Sequence, residues 1–191
     1  MRGVRVQALV LAAALAIACG TPPNKEMDQA QGAIDAARAV GADRYAATEF
    51  QAATTSLQLA NDAVAQRDFR LALNHALESR DHAQNAAREA ADTRARIRGE
   101  VERAMAEVAG LLAQANATLA AAEKARVARA TLTDARGALA EVNADVQEAG
   151  AAMKADDFMA AQPPLMGVKE RIEGVTASLE AAMSQSSRRR R

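Results

Sequence analysis

The sequence predicts an all-α protein of antiparallel helical hairpins, on two main observations. Of its 191 residues, 52 are alanine, the strongest helix former, and only 2% are aromatic. Apolar residues also recur at helical spacing along almost the whole chain after residue 28. A sandwich, barrel or Rossmann sheet needs strands rich in β-branched and aromatic residues, which this composition does not supply. We therefore expect elongated, closely packed helices around a thin core.

Residues 1–18 are typical of a secretory signal peptide. Arg2 and Arg5 precede an apolar stretch, and small residues then lead to Cys19. The apolar stretch is shorter than the roughly 20 residues that span a bilayer, which makes a permanent membrane helix the weaker alternative. Residues 19–27, which include two prolines, are predicted to form a tether.

Cys19 is the only cysteine, so an intramolecular disulfide is excluded. Residues 15–18 (Leu-Ala-Ile-Ala) before it resemble the bacterial lipobox. This resemblance implies cleavage before Cys19, attachment of diacylglycerol to its sulfur and acylation of the new N-terminus. Two or more acyl chains anchor a protein stably. Gly20 stands where inner-membrane lipoproteins of enteric bacteria often carry aspartate, which implies the periplasmic face of the outer membrane.

The mature chain is predicted to contain two hairpin units. Residues 28–98 form the first unit, 99–112 a connecting helix, 113–187 the second unit and 188–191 a basic tail. The expected helices cover about 29–40, 44–66, 69–130 and 134–155, with a last helix to about 183 that Pro163 and Pro164 disturb.

Four turn signals separate these predicted helices. Gly41 is expected to end the first helix, and Asp68 to cap the long one. Residues 131–134 (Thr-Leu-Thr-Asp) have the spacing of a capping box and predict a helix start. Asp156-Asp157 repeats the turn signal. These two aspartates are not predicted to be a catalytic pair, because adjacent carboxylates diverge around a helix.

A shift of 89 residues predicts an internal repeat. It places Asp68-Phe69 on Asp157-Phe158 and aligns apolar columns on both sides of the turn. Two alanine-rich hairpins in phase would also match by chance, so the turn carries more weight than the alanines. Large rings near the hairpin ends are expected to be core; they are Phe50, Phe69 and Phe158.

A resemblance rests on residues 36–46 (Ala-Ala-Arg-Ala-Val-Gly-Ala-Asp-Arg-Tyr-Ala), on Phe50-x-x-Ala53 and on Asp68-Phe69-x-x-Ala72. Residues 28–95 thereby resemble an uncharacterised family of alanine-rich helical domains in bacterial secreted lipoproteins. Some members precede an OmpA-type peptidoglycan-binding domain, which these 191 residues do not contain. The family often has proline and glycine where Ala47 and Arg67 stand here.

No residue is predicted to be catalytic or to bind a cofactor, because nucleotide-binding and hydrolase motifs are absent from the sequence. His75, Glu78 and His82 share one helical face and offer half of a metal site. A di-iron bundle needs a second Glu-x-x-His helix, and no other histidine exists. The prediction is therefore no metal and no enzymatic activity, with a metal-dependent function as a minor alternative.

The charge distribution predicts an acidic body with a basic end. Without residues 1–18 the chain has 22 basic and 24 acidic side chains, and four of the basic ones are Arg188–Arg191. Such a tail is expected to be solvated or to touch anionic lipid. The predicted function is a lipid-anchored envelope spacer, scaffold or protein-interaction module. The partners are unidentified envelope proteins or a second copy bound through the apolar stripe, and nucleic acid is not expected. The alternative is a ligand- or peptide-binding lipoprotein with a groove between hairpins.

Overall fold

The computed structural model describes residues 21–188, and every regular element in that range is helical. The elements are α1 (Asn24–Ala39), α2 (Ala42–Tyr45), α3 (Ala47–Ala65), α4 (Phe69–Lys124), α5 (Arg129–Lys154), α6 (Phe158–Ala161), a 3-10 turn (Pro163–Leu165) and α7 (Val168–Arg188). The predicted all-α class, with a long helix joining helical segments, is confirmed. Cys19 and Arg189–Arg191 lie outside the described residues.

The chain divides into two compact units between Thr93 and Arg94. Helix α4 contributes its first part to unit 1 and the remainder to unit 2. Residues 99–112, predicted as a connecting helix, lie within unit 2, where Val101 and Val108 are buried. Each unit buries side chains from three long helices, one more than the two arms of a hairpin, and from one four-residue helix.

Alanine dominates the core of unit 1. Ile34 of α1, Ala53 of α3 and Ala83 of α4 form its central cluster. Ser79 is fully buried, and its hydroxyl donates a 2.8 Å hydrogen bond to the Ala53 carbonyl oxygen across the helix pair. Because a serine side chain is short, this bond requires the backbones of α3 and α4 to lie close together. Small residues permit that approach.

Unit 2 packs larger side chains around the same three-helix plan. Its central cluster draws on α4, α5 and α7 and comprises Val108, Leu112, Ala115, Leu139, Val142, Val168 and Ile172. A second cluster surrounds Leu179, with Ala122 and Val127 at the turn after α4. On the surface, Glu107 of α4 accepts a 2.6 Å hydrogen bond from Lys169 of α7. That bond and the Glu107 charge raise the pKa of Lys169.

Three helices end in the same left-handed turn. Arg67, Arg126 and Asp156 have φ of 62°, 55° and 57°. The amide of the next residue reaches back five positions each time, from Asp68 to Ala63, from Val127 to Ala122 and from Asp157 to Ala152. This is the Schellman pattern, which usually places glycine at the left-handed residue. It confirms turns at 67–68 and at 156–157.

Two aspartates then cap the following helices, as predicted for Asp68. Asp68 accepts from the Leu71 amide at 2.9 Å, and Asp157 accepts from the Ala160 amide at 3.1 Å. Each bond satisfies a first-turn N–H that has no partner within the helix.

The predicted boundary at residues 131–134 is wrong. Helix α4 ends at Lys124 and α5 begins at Arg129, so these four residues lie inside α5. The Thr133 hydroxyl donates to the Arg129 carbonyl instead of capping a helix. Burial of Val127 against Leu179 determines the earlier turn, which a local capping pattern does not reveal.

The first two predicted helices also begin or run differently. Helix α1 begins at Asn24, directly after Pro23, because a proline at the edge of the first turn removes no intrahelical bond. The helix predicted over 44–66 is interrupted at Ala46, which separates α2 from α3. Gly41 ends α1 with φ of 83°, as predicted.

The two units match at buried positions. At the 89-residue shift, Ala53 and Val142, Ala83 and Ile172, and Ala90 and Leu179 are all buried, with exposures of 1% or less. The first helices match at a shift of 85 instead, which pairs Ala30 with Ala115 and Ala37 with Ala122, all at 0%. The change in shift means that unit 2 has four more residues in this interval, 20 from Ala122 to Val142 against 16 from Ala37 to Ala53.

Candidate interaction sites

The predicted lipid-attachment residue, Cys19, lies outside the described residues, and lipidation stays a prediction. Among the described helices, none combines the length and the apolar character needed to cross a bilayer.

The two histidines belong to separate pairs. The Nδ1 atom of His75 lies 3.0 Å from a carboxylate oxygen of Glu78 on the same helix. The Nδ1 atom of His82 lies 2.8 Å from a carboxylate oxygen of Glu49 on α3. Within residues 21–188, no three His, Cys, Asp or Glu side chains are grouped to hold a metal. The histidine-bearing face therefore links α3 to α4.

Residues 36–46, which carry the family resemblance, build the turn between α1 and α3. Gly41 adopts a left-handed φ, and a Cβ there would lie 3.2 Å from the ring of Tyr45. Tyr45 is 9% exposed and covers this turn, with Arg44 over its ring at 5.8 Å. Glycine is needed both for its φ and for the space that the tyrosine occupies. The motif thus encodes the turn from α1 to α3.

The three phenylalanines differ in burial. Phe158 is 3% exposed, in agreement with its predicted core role, and Arg94 and Arg98 lie over its ring at 5.3 and 5.9 Å. Phe50 and Phe69 are only half-buried, and Arg38 covers the ring of Phe50 at 5.2 Å. Stacked arginines shield part of this apolar surface from water.

A cleft in unit 2 opens where the prolines interrupt the helix. Pro163 and Pro164 cannot donate backbone hydrogen bonds, and the chain forms a 3-10 turn before α7 begins. At the equivalent positions of unit 1, Asn74 and His75 continue α4 without a break. The cleft measures about 420 Å³ and is lined by Glu100, Val101, Ala104, Met159, Gln162, Pro163, Leu165 and Met166.

Two methionines give this cleft an apolar rim. Met166 is 76% exposed and Met159 is 39% exposed, the first being the most exposed large apolar side chain in the described chain. Methionine is flexible and polarisable, and it adapts to differently shaped partners. Glu100 is the acidic group at the cleft, and it is paired with Arg96 at 2.9 Å.

A positively charged surface lies at the end of unit 2 where α4 ends, α5 begins and α7 ends. We call it the basic end; its described members are Lys124, Arg126, Arg129 and Arg188, all exposed. Sequence reasoning noted only the arginine tail. Three cations also lie within residues 124–129, but the sequence does not show that α7 returns to the same end and brings Arg188 beside them.

The comparisons identify one part of the chain. Residues 25–100 match the family model of a domain of unknown function, DUF4398. The predicted resemblance to an uncharacterised domain family is confirmed. The DUF4398 match covers the helices of unit 1 and extends a few residues along α4 into unit 2. No curated protein and no solved structure matches the chain.

Proposed function

We propose that this chain is a non-enzymatic lipoprotein of the cell envelope that acts as a helical scaffold or protein-interaction module. The observation that carries the proposal is the lipobox-like sequence ending at Cys19, which follows an export signal. Acyl chains on Cys19 would hold the protein at the periplasmic face of the outer membrane, and unit 1 would begin within a few residues of the anchor.

The construction of the two units supports a binding role. Each core is a narrow seam along the facing surfaces of three helices, so much of each helix remains available for contact. Most exposed positions are polar. Five large apolar residues are exposed, and two of them share the cleft at Pro163; the five are Val40, Leu59, Leu71, Met159 and Met166. Single exposed apolar residues are ordinary on a protein surface, so the paired methionines at the cleft are the apolar feature that supports a binding role.

Replacing Cys19 with alanine should release the protein from membranes. The wild-type chain, expressed in a two-membrane bacterium, should sediment with the outer membrane, because two or more acyl chains anchor a protein stably. On immunoblots, the Cys19→Ala chain should appear in the soluble fraction or as a precursor that keeps its signal peptide. Cys19→Ser is the matched control and should behave in the same way, because thioether formation requires sulfur. Continued sedimentation of both variants with the outer membrane would contradict lipid anchoring.

The cleft at Pro163 favours a second candidate function, capture of a peptide segment of an envelope protein. Its volume of about 420 Å³ suits one or two apolar side chains, and its methionine rim can adapt to them. The cleft lies within unit 2, whereas the groove predicted from the sequence lay between hairpins.

A photo-crosslinking amino acid placed at Met166 in intact cells should then capture a discrete partner. The same group at Leu59, an exposed apolar position of unit 1, is the control. We expect a crosslinked band from position 166 that a leucine-containing competitor peptide reduces and that position 59 does not produce. Equal or absent crosslinking at the two positions would argue against a peptide-binding cleft.

A further inference from the structure

The fold gathers cations that are distant in sequence at one end of unit 2. Lys124 ends α4, Arg126 forms the left-handed turn and Arg129 begins α5. The Ser186 hydroxyl donates a 3.2 Å hydrogen bond to the Ala125 carbonyl, which places the end of α7 against that turn. Arg188 is two residues further along the same helix.

These charges are not neutralised by neighbouring carboxylates. Lys124, Arg126, Arg129 and Arg188 form no ion pair with any other described residue. The nearest acidic residue in sequence, Glu123, is held by Arg136 at 2.6 Å. The basic end thus gathers four cations of the described chain on three helix ends. The remainder of the chain after residue 18 is acidic, so the positive charge is concentrated here.

A cleft with hydrogen-bond donors adjoins these cations. It measures about 510 Å³, and Arg126, Thr131, Gln185 and Ser186 line it. Guanidinium, hydroxyl and amide groups around one cleft are the donors that phosphate oxygens accept from. None of the lining residues is aromatic, so the stacking that holds single-stranded nucleic acid has no partner here.

We propose that the basic end binds the phosphate groups of an anionic lipid surface. Each Lys or Arg near such a surface contributes about 1 kcal/mol, equivalent to roughly a fivefold gain in partitioning. This contact uses the four cations of the basic end and does not depend on Cys19. The vesicle experiment can therefore fail while lipid anchoring holds, and the reverse also applies.

Sedimentation with vesicles tests the proposal on the chain from Gly20 to Arg191, which keeps every described helix and lacks the signal. The vesicles contain phosphatidylcholine with or without phosphatidylglycerol. The protein should bind only the anionic vesicles, and added salt should weaken binding by screening. The triple variant Lys124→Gln, Arg126→Gln, Arg129→Gln should bind about a hundredfold more weakly, at fivefold per cation. Replacing Arg188 alone with glutamine should weaken binding about fivefold without touching a core residue.

The matched control removes three exposed cations elsewhere: Arg70→Gln, Arg103→Gln, Lys154→Gln. It carries the same change in net charge and should bind within about threefold of the parent, because its sites lie outside the basic end. Equal losses in the control and in the cluster variant would overturn the proposal, as would equal binding to neutral vesicles. Competition by inorganic phosphate at the same phosphate concentration as the lipid would assign the site to free phosphate instead, which also overturns the lipid assignment.

Discussion

Replacing Ile172 with alanine should lower the free energy of unfolding of unit 2 by about 3 kcal/mol. Ile172 is 1% exposed and lies in the cluster that joins α4, α5 and α7. Its removal loses the transfer free energy of three carbon atoms and leaves a cavity that the surrounding helices fill only partly. Alanine itself favours helix, so the loss would reflect packing and not helix propensity.

Native-state hydrogen exchange should measure this loss, because it assigns stability to each unit separately. Backbone amides of α5 and α7 should lose protection, and those of α1 and α3 should change much less. Ile172→Val is the control and should cost only about 1 kcal/mol, since it removes one methylene. A loss below about 1 kcal/mol for the alanine variant would mean that Ile172 does not carry the core of unit 2.

Replacing Ala83 with isoleucine should destabilise unit 1 by about 3 kcal/mol, although isoleucine stands at the equivalent position of unit 2. Ala83 is fully buried between Ile34 and Ala53. One turn earlier, the Ser79 hydroxyl reaches the Ala53 carbonyl at 2.8 Å, so α3 and α4 have no room for a larger side chain. Insertion would force the helices apart and break that hydrogen bond.

Chemical denaturation followed by circular dichroism, together with exchange of unit 1 amides, should detect the change. Ala91→Ile, at an exposed position of the same helix, is the control and should cost only about 0.5 kcal/mol from helix propensity. A stable Ala83→Ile variant would show that unit 1 can expand to the spacing of unit 2, and that the close approach of α3 and α4 is not required.

Patterns along the chain predicted most of the helices and their turns. Asp68 and Gly41 act where their chemistry predicts, because a cap or a left-handed glycine depends on neighbours within a few residues. The boundary after Lys124 was missed because Val127 is buried by α7, which lies about fifty residues later in the sequence. Local propensity cannot report a contact of that range.

Candidate sites divide in the same way. Lipidation of Cys19 stays a prediction from its neighbours in sequence, since a processing signal is itself a linear pattern. The cleft at Met166 follows from Pro163 and Pro164, but only the packing against Glu100 and Val101 turns a helix break into a cavity. Of the basic end, only Arg188 was predicted, as part of the arginine tail. The cations of the α4–α5 turn were missed because they lie beside Arg188 only when α7 returns to the same end.

The alanine content, the helical spacing and the turn residues by themselves determined an all-α chain of two units, and the export signal stays a prediction. Tertiary structure decided that three helices, not two, form each core, and that equivalent positions hold alanine in unit 1 and larger side chains in unit 2. The physical reason is distance: helix formation and capping depend on residues within one turn, whereas helix spacing depends on which faces meet.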